Sequence, residues 1–425
     1  MKIALINPPS PFLIDERVFP NIGLVRVGTQ LKQEGHQVDI HDFSGRDIKE
    51  MDKIARSYAL YGFSSTTPQF PQARKLLSRL LANNPHARTV IGGPHASALY
   101  ELRQKGVVDH NIDDLNIFDT VFAGEAEDTT DMFKPGWQKG RLIRDIDTTP
   151  IPDRSMIDLL SYKYKMNGQP TTSIQTQRGC PYSCEFCCGR DIEMYNTVRQ
   201  HSPERVVKEL EQLEDEYGYK SFMWYDDEVN INPGRLEELC DRLAGKGYQH
   251  RGFVRSDQIV QHPETVDMLK RAGFVKLCTG VESGSDKVLD TINKQTTTDM
   301  NYQARKIIGD AGIHYEAFMI IGHPGETPDD VRQTKEWLEK AKPDDFDINV
   351  LTVYPGCKIY DGANRSDRYK GYDWQYKGLF FNKPDYSKEP TFYKGLDGQS
   401  SSKTRTEKMP EKYIHSKRDE IEAMK

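Results

Sequence analysis

Seven cysteines occur among the 425 residues, and their placement constrains the chain more than any other feature. None falls in the first 179 residues, whereas four lie between Cys180 and Cys188. A disulfide framework spreads its cysteines to staple distant segments; clustering of this kind in a chain without export features points to metal. The segment Arg178-Gly179-Cys180-Pro181-Tyr182-Ser183-Cys184-Glu185-Phe186-Cys187 has the spacing C-x3-C-x2-C and directly follows a predicted strand. Three thiolates cannot saturate a four-iron cluster, so one iron keeps an open position. An open position is where a bound metal does chemistry. The alternatives are a structural zinc site or buried free thiols. Zinc wants a fourth ligand, for which the adjacent Cys188 is poorly placed and His201 is a candidate.

The length suits about two or three domains. With 36% hydrophobic and 29% charged residues the composition is globular, and no apolar stretch approaches a membrane span. Lys and Arg total 58 against 64 acids, a net charge of −6, so no basic surplus announces a nucleic acid or an anionic membrane. The sequence opens on a predicted strand with no signal-peptide pattern ahead of it, which makes a cytoplasmic location the expectation.

Predicted strands at 2–7, 37–42, 60–63, 89–91 and 119–122 alternate with helices at 23–34 and 70–83. Gly, Ser and Thr stand at the strand ends. That alternation implies a doubly wound parallel α/β sheet with its ligand crevice at the carboxyl edge. From Gly136 to Pro170 the pattern breaks, and the stretch around Asp147–Asp153 reads as a connection. Periodicity resumes at Thr172–Gln177. Further strands follow at 221–226, 252–255, 276–279, 315–321 and 347–353, with helices at 263–272 and 327–340 between them. Six such units are too few for a closed eight-stranded barrel, so an open six-stranded (β/α) barrel is predicted. The expected units are 1–140, a linker 141–171, the barrel 172–355 and a short C-terminal extension 356–425. That extension, with a helix at 411–424, either packs across the barrel mouth or is partly disordered.

On these residues the chain resembles the radical S-adenosylmethionine (SAM) enzymes, in which this cysteine spacing on a partial barrel holds a [4Fe–4S] cluster. Further matches are Tyr225-Asp226-Asp227, Arg255-Ser256-Asp257, Gly280-Val281-Glu282-Ser283-Gly284 and Gly322-His323-Pro324-Gly325-Glu326-Thr327. The N-terminal third resembles the cobalamin-binding domain of one large subgroup, through Gly92-Gly93-Pro94-His95 and Gly124-Glu125-Ala126-Glu127.

The resemblance implies that Cys180, Cys184 and Cys187 ligate the cluster, whose open iron chelates the amino and carboxylate groups of SAM. Asp226 and Asp227 are then candidate acceptors for the amino group, and Arg255 and Ser256 candidate donors to the carboxylate and ribose. Phe186 is placed to lie against the adenine. Glu282 would meet a ribose hydroxyl or orient Arg255, and Gly322 and Gly325 would let backbone approach the adenosine.

Cobalamin is less directly marked. The loop Pro8-Pro9-Ser10-Pro11 holds no histidine for cobalt, and His41 lies at the second strand in a motif of the wrong spacing, so it reads as a strand-end histidine. The subgroup resembled often binds cobalamin without a protein nitrogen ligand. Ser64, Thr66, Thr67, Gly93 and His95 are the candidate lining, and a domain that has lost its cofactor is the alternative.

The function implied is reductive cleavage of SAM to methionine and a 5′-deoxyadenosyl radical, with cobalamin-dependent methylation of an unactivated carbon in a small molecule. The alternative is a radical cyclisation, rearrangement or epimerisation without methyl transfer. An electron donor such as flavodoxin or ferredoxin is the expected partner, with no membrane and no nucleic acid. Methylthio-transferring tRNA enzymes are disfavoured because they carry cysteines in the N-terminal domain, where this chain has none. Cys357, beyond the last strand, reads as a loop cysteine without a role, the alternative being one that faces substrate, and Cys188 is expected to be a packed thiol and not a ligand.

Overall fold

The computed structural model describes residues 1–392, 394 and 400–425. Its first sheet has the strand order β2-β1-β3-β4-β5-β6 and is parallel throughout. The strands are β1 (Lys2–Asn7), β2 (Gln37–Asp42), β3 (Leu60–Ser64), β4 (Arg88–Gly92), β5 (Thr120–Ala123) and β6 (Gly136–Lys139). Ile3, Ala4 and Ile6 of β1 are fully buried. A parallel sheet covered on both faces demands such continuous apolar runs. β1 lies between β2 and β3, so the chain leaves its carboxyl end in opposite directions and a crevice opens there. β6 falls where the sequence pattern appeared to stop. It is a four-residue, half-exposed edge strand, too short and too polar for a periodic signal.

The second sheet runs β15-β14-β13-β12-β11-β8-β7. Its parallel members are β8 (Gln169–Ile174), β11 (Ser221–Trp224), β12 (Gln249–Val254), β13 (Phe274–Glu282), β14 (His314–Ile321) and β15 (Asp345–Val350). These six strands form the open barrel. The two-residue β7 (Lys165–Met166) turns back on β8 through Asn167-Gly168, both at positive φ. A separate two-stranded ribbon, β9 (Gln177–Arg178) with β10 (Arg199–Gln200), stands at the mouth beyond β8.

The C-terminal part is a folded layer and not a short tail. β16 (Asn364–Tyr369), β17 (Tyr372–Tyr376), β18 (Leu379–Phe381) and β19 (Thr404–Thr406) form an antiparallel sheet. Leu379, Phe381 and Tyr386 share one core with Phe63, Phe70 and Ile91 of the first sheet's layer. The helix Glu411–Glu422 places Ile414 and Ile421 in the barrel core beside β15. Within the expected C-terminal extension 356–425, residues 393 and 395–399 lie outside the described residues.

Candidate functional site

The cysteine loop is built at the carboxyl end of β8. That strand stops at Ile174, short of the predicted Gln177, because Asp226 captures the next backbone. Its carboxylate accepts from Thr176 N at 2.6 Å, Gln177 N at 2.9 Å and Thr176 Oγ1 at 2.5 Å. The chain then forms β9, and β10 returns beside it, so residues 179–198 make a flap with a closed base. Gly179 must be glycine: its φ is +85°, and a Cβ there would run into the Thr197 carbonyl. Within the flap Cys180 N donates to Tyr195 O at 3.0 Å, and Arg190 Nη1 donates to Cys180 O at 3.0 Å. Glu185, between the second and third cysteines, is held by its backbone: N donates to Ile292 O at 2.9 Å and O accepts from Ile359 N at 3.3 Å.

Arg190 is the electrostatic centre of this loop. The acids and thiols around it, Cys187 first, then Asp227, Cys180 and Cys184, outweigh burial and raise its pKa. Burial, reinforced at Cys180 by Glu228, pushes Cys180 up to about 12, and burial pushes Cys187 up to about 11. Among the described residues no three His, Cys, Asp or Glu side chains are grouped as a single-ion site. His201, the candidate fourth zinc ligand, is bonded through Nδ1 to Asp147 at 2.9 Å.

Arg255 stands at the end of β12, directly over the loop. Its guanidinium lies 3.6 Å from the centre of the Tyr182 ring, and Nη1 is 3.9 Å from Cys184 Sγ. Nε donates to Asp257 at 2.8 Å and faces Glu228 at 3.7 Å, while Nη2 donates to Lys294 O at 2.6 Å. Burial opposes this charge, but Asp257 and Glu228 outweigh it and raise the pKa. Glu282 does not orient Arg255. It pairs with the buried Lys294 Nζ at 2.7 Å, from a backbone at φ +65°.

The remaining predicted barrel residues divide. Ser256 is buried with its hydroxyl unpartnered, and Phe186 meets the His323 ring edge-on at 5.7 Å. Gly322 and Gly325 have φ of +90° and +68°, and Gly322 N donates to Glu326 at 2.5 Å. Asp227 is partly exposed and pairs with Arg190 at 3.6 Å. Asp226 has all its described bonds to the chain end of β8, so the structure gives it a clamping role in place of the predicted ligand role. Cys357 is buried in a hydrophobic core, away from any open crevice, as a cysteine without a role would be. The Cys188 residue is exposed, yet its thiol turns inward to meet Cys357.

Sequence reasoning missed Glu228, which follows the two quoted aspartates. Burial lifts it to about 7 even though Arg255 pulls it down; Oε1 lies 3.7 Å from Cys180 Sγ, and Oε2 has no partner. Asn230 Nδ2, Thr296 Oγ1 and both His323 ring nitrogens are likewise buried and unpartnered. The third acid of the run Asp226-Asp227-Glu228 was the available signal.

On the first sheet the candidate cofactor residues come together at the ends of β3 and β4. His95 N donates to Ser65 O at 3.1 Å, and His95 Nδ1 is 3.1 Å from Thr67 Oγ1. Gly93, at φ +93°, lets the two loops touch: a Cβ would lie 2.9 Å from both Ser65 N and O. Thr66 is exposed and bonds Gln69, while Ser64 Oγ faces Gly93. His95 is fully buried between Phe70 and Tyr386 with Nε2 unpartnered, and burial lowers it to about 3. His41 bonds Tyr58 at 2.8 Å along β2.

Comparison with known proteins places these features. The radical SAM superfamily profile matches residues 174–338 and the B12 binding domain profile residues 16–131. The chain is 27% identical over 405 residues to an uncharacterized methyltransferase of Pyrococcus horikoshii, covering 88% of this chain and 86% of the relative. It is 25% identical over 327 residues to an anaerobic magnesium-protoporphyrin IX monomethyl ester cyclase of Cereibacter sphaeroides, covering 70% of this chain but only 52% of that relative. The fold is shared with the radical SAM methyltransferase TsrM of Kitasatospora setae, at a TM-score of 0.66 and 16% identity over 100% of this chain and 91% of that one.

The side chains present fit the cofactors of these two domains. Three thiols on one pinned loop suit a cluster with an open iron, and the unpartnered buried groups beside it suit a polar ligand such as SAM. The β1/β3 crevice and the orphaned His95 nitrogen suit cobalamin. The cofactors are a [4Fe–4S] cluster, SAM and cobalamin, and the chain carries a radical SAM domain at 174–338 with a B12-binding domain at 16–131 ahead of it.

Proposed function

We propose that the protein is a cobalamin-dependent radical SAM methyltransferase acting on an unactivated carbon of a small molecule. The observation that carries this reading is the presence, in one chain, of a three-thiol loop at a barrel mouth and a parallel sheet that matches the B12 binding domain. The first named relative is also a methyltransferase. The cyclase relative favours the second reading, radical chemistry without methyl transfer.

When bound, the cofactors supply the electron, the radical and the methyl group. The protein's own part is to hold and orient. Cys180, Cys184 and Cys187 carry the cluster. Arg255, braced by Asp257 and stacked on Tyr182, presents a fixed cation above Cys184, where a carboxylate can be met. Glu228 offers an acceptor to an ammonium group and Ser256 a hydroxyl to a sugar. Phe186 and His323 form an aromatic wall suited to a purine, with the imidazole nitrogens free to meet its polar edge. Ser64, Thr66, Thr67, Gly93 and His95 border the cobalamin crevice. Residues 1–140 act as the cofactor domain and 172–355 as the radical domain, in the cytoplasm, with a flavodoxin or ferredoxin as reductant. No described helix is long and apolar enough to cross a membrane.

The test is anaerobic reconstitution followed by product analysis with candidate substrates. Methylation yields S-adenosylhomocysteine together with 5′-deoxyadenosine; 5′-deoxyadenosine alone selects the second reading. Cys184→Ala abolishes both cluster and SAM cleavage, and SAM cleavage by that variant would overturn both readings.

A further inference from the structure

The acidic motif at the end of β5 does not face the cobalamin crevice. It reaches across to the barrel. Glu125 Oε1 accepts from Arg178 Nη1 at 2.6 Å and Oε2 from Arg199 Nη1 at 2.5 Å, while Glu127 Oε1 accepts from Arg178 Nη2 at 2.5 Å. Arg178 and Arg199 are directly paired residues of the β9–β10 ribbon that forms the base of the cysteine flap. Arg178 stands two residues before Cys180. Glu125 also accepts from Ile143 N at 2.8 Å, and Arg199 Nη1 donates to Ile143 O at 2.9 Å, so the connecting chain is drawn into the same knot. All four side chains are at most 10% exposed.

The backbone is shaped to deliver this carboxylate. Gly124 takes φ +91°, and its N–H donates to Ser97 Oγ at 3.0 Å. A two-pronged carboxylate gripping two guanidiniums, both out of water, has strong directional bonds and little freedom to slip.

We propose that Glu125 is a positioning residue that couples the B12-binding sheet to the cluster loop. It sets where the flap of residues 179–198 stands relative to the carboxyl edge of the first sheet. The inference rests on the reading that cobalamin sits at that edge, because transfer between two cofactors on separate domains needs their separation held constant. A misplacement of about 1 Å can lower a rate by about a hundredfold.

Hydrogen–deuterium exchange on the anaerobic, cluster-loaded protein tests this, with and without hydroxocobalamin. Glu125→Gln is expected to raise exchange across 179–198 by at least about fivefold, the lower range of coupling between sites, while β12 to β14 keep wild-type protection. Cobalamin is expected to protect the β3 and β4 ends and also, in wild type only, residues 179–198. Glu209→Gln breaks a pair with Arg154 that is as deeply buried but lies outside the clasp, and leaves 179–198 unchanged. Glu125→Asp, which keeps the charge but shortens the reach, shows the same localised effect should the glutamine variant not fold. Exchange raised throughout the chain, or equal loosening of 179–198 by Glu209→Gln, would assign Glu125 a merely structural role and overturn the proposal. Unchanged exchange across 179–198 also overturns it. Absence of any cobalamin protection in wild type overturns the cobalamin reading, while the basal exchange of Glu125→Gln still decides the clasp.

Discussion

Lys377 Nζ lies 2.8 Å from both carboxylate oxygens of Glu185, tying the turn between β17 and β18 to the residue that follows Cys184. Lys377 also donates to Thr291 O at 3.2 Å, and a Cβ on Gly378 would lie 3.7 Å from the Gly325 backbone. The C-terminal sheet therefore braces the cluster loop from outside while its apolar face completes the core of the first domain.

Removal of residues 364–425 is expected to yield aggregated protein, because Leu379, Phe381 and Tyr386 leave a core they share with Phe63 and Phe70. Soluble expression and a cooperative melt of the truncated chain would contradict this. Lys377→Met is milder: the ion pair is half-exposed, so stability falls by no more than about 1 kcal/mol by thermal melting.

Gly179→Ala should fold but fail to load the cluster. The strained φ and the clash with the Thr197 carbonyl displace the flap, while the barrel core is untouched. Iron content per chain, read against an unchanged far-ultraviolet circular dichroism spectrum, checks this.

Asp226→Asn should destabilise the loop more than its size suggests. Burial lifts Asp226 to about 6 despite three hydrogen bonds, so the carboxylate is held against a desolvation cost. The amide replaces one acceptor oxygen by a donor facing Thr176 and Gln177. A loss of about 2 kcal/mol in denaturant unfolding is expected.

Acid stability provides a further test. His250 is fully buried, accepts from Trp224 Nε1 at 3.0 Å, and is lowered by burial to about 3. Its unfolded value is near 6.5, so between about pH 6.5 and 3 the unfolded chain binds the extra proton and stability falls as pH falls. His250→Gln should flatten that limb by about 1.4 kcal/mol per pH unit relative to wild type. Glu326, lifted by burial to about 8, acts in the opposite sense: its contribution is complete below about pH 4.5 and is lost as pH rises through 8. Unfolding curves at several pH values separate the two, and identical acid limbs for wild type and His250→Gln would refute the histidine assignment.

Local pattern was enough for the parallel sheet, the six barrel strands and the three cysteines. Each depends on periodicity or spacing within a few residues, and buried parallel strands such as β1 advertise themselves as apolar runs. Position in space was not legible in this way. Asp226 and Glu228 are two residues apart and chemically alike, yet one clamps the chain after β8 and the other opens an unpartnered oxygen beside Cys180. Strand alternation would put both on one face, but the chain has left β11 at Trp224, and only the segments packed around it decide what each side chain meets. The same holds for Glu125, whose partners lie 53 and 74 residues away, and for Lys377, which finds Glu185 across 192 residues. The chemistry was written in local spacing, whereas the joining of the two domains and the C-terminal layer was decided by tertiary packing, because charge pairs and shared cores form between segments that carry no mark of each other in sequence.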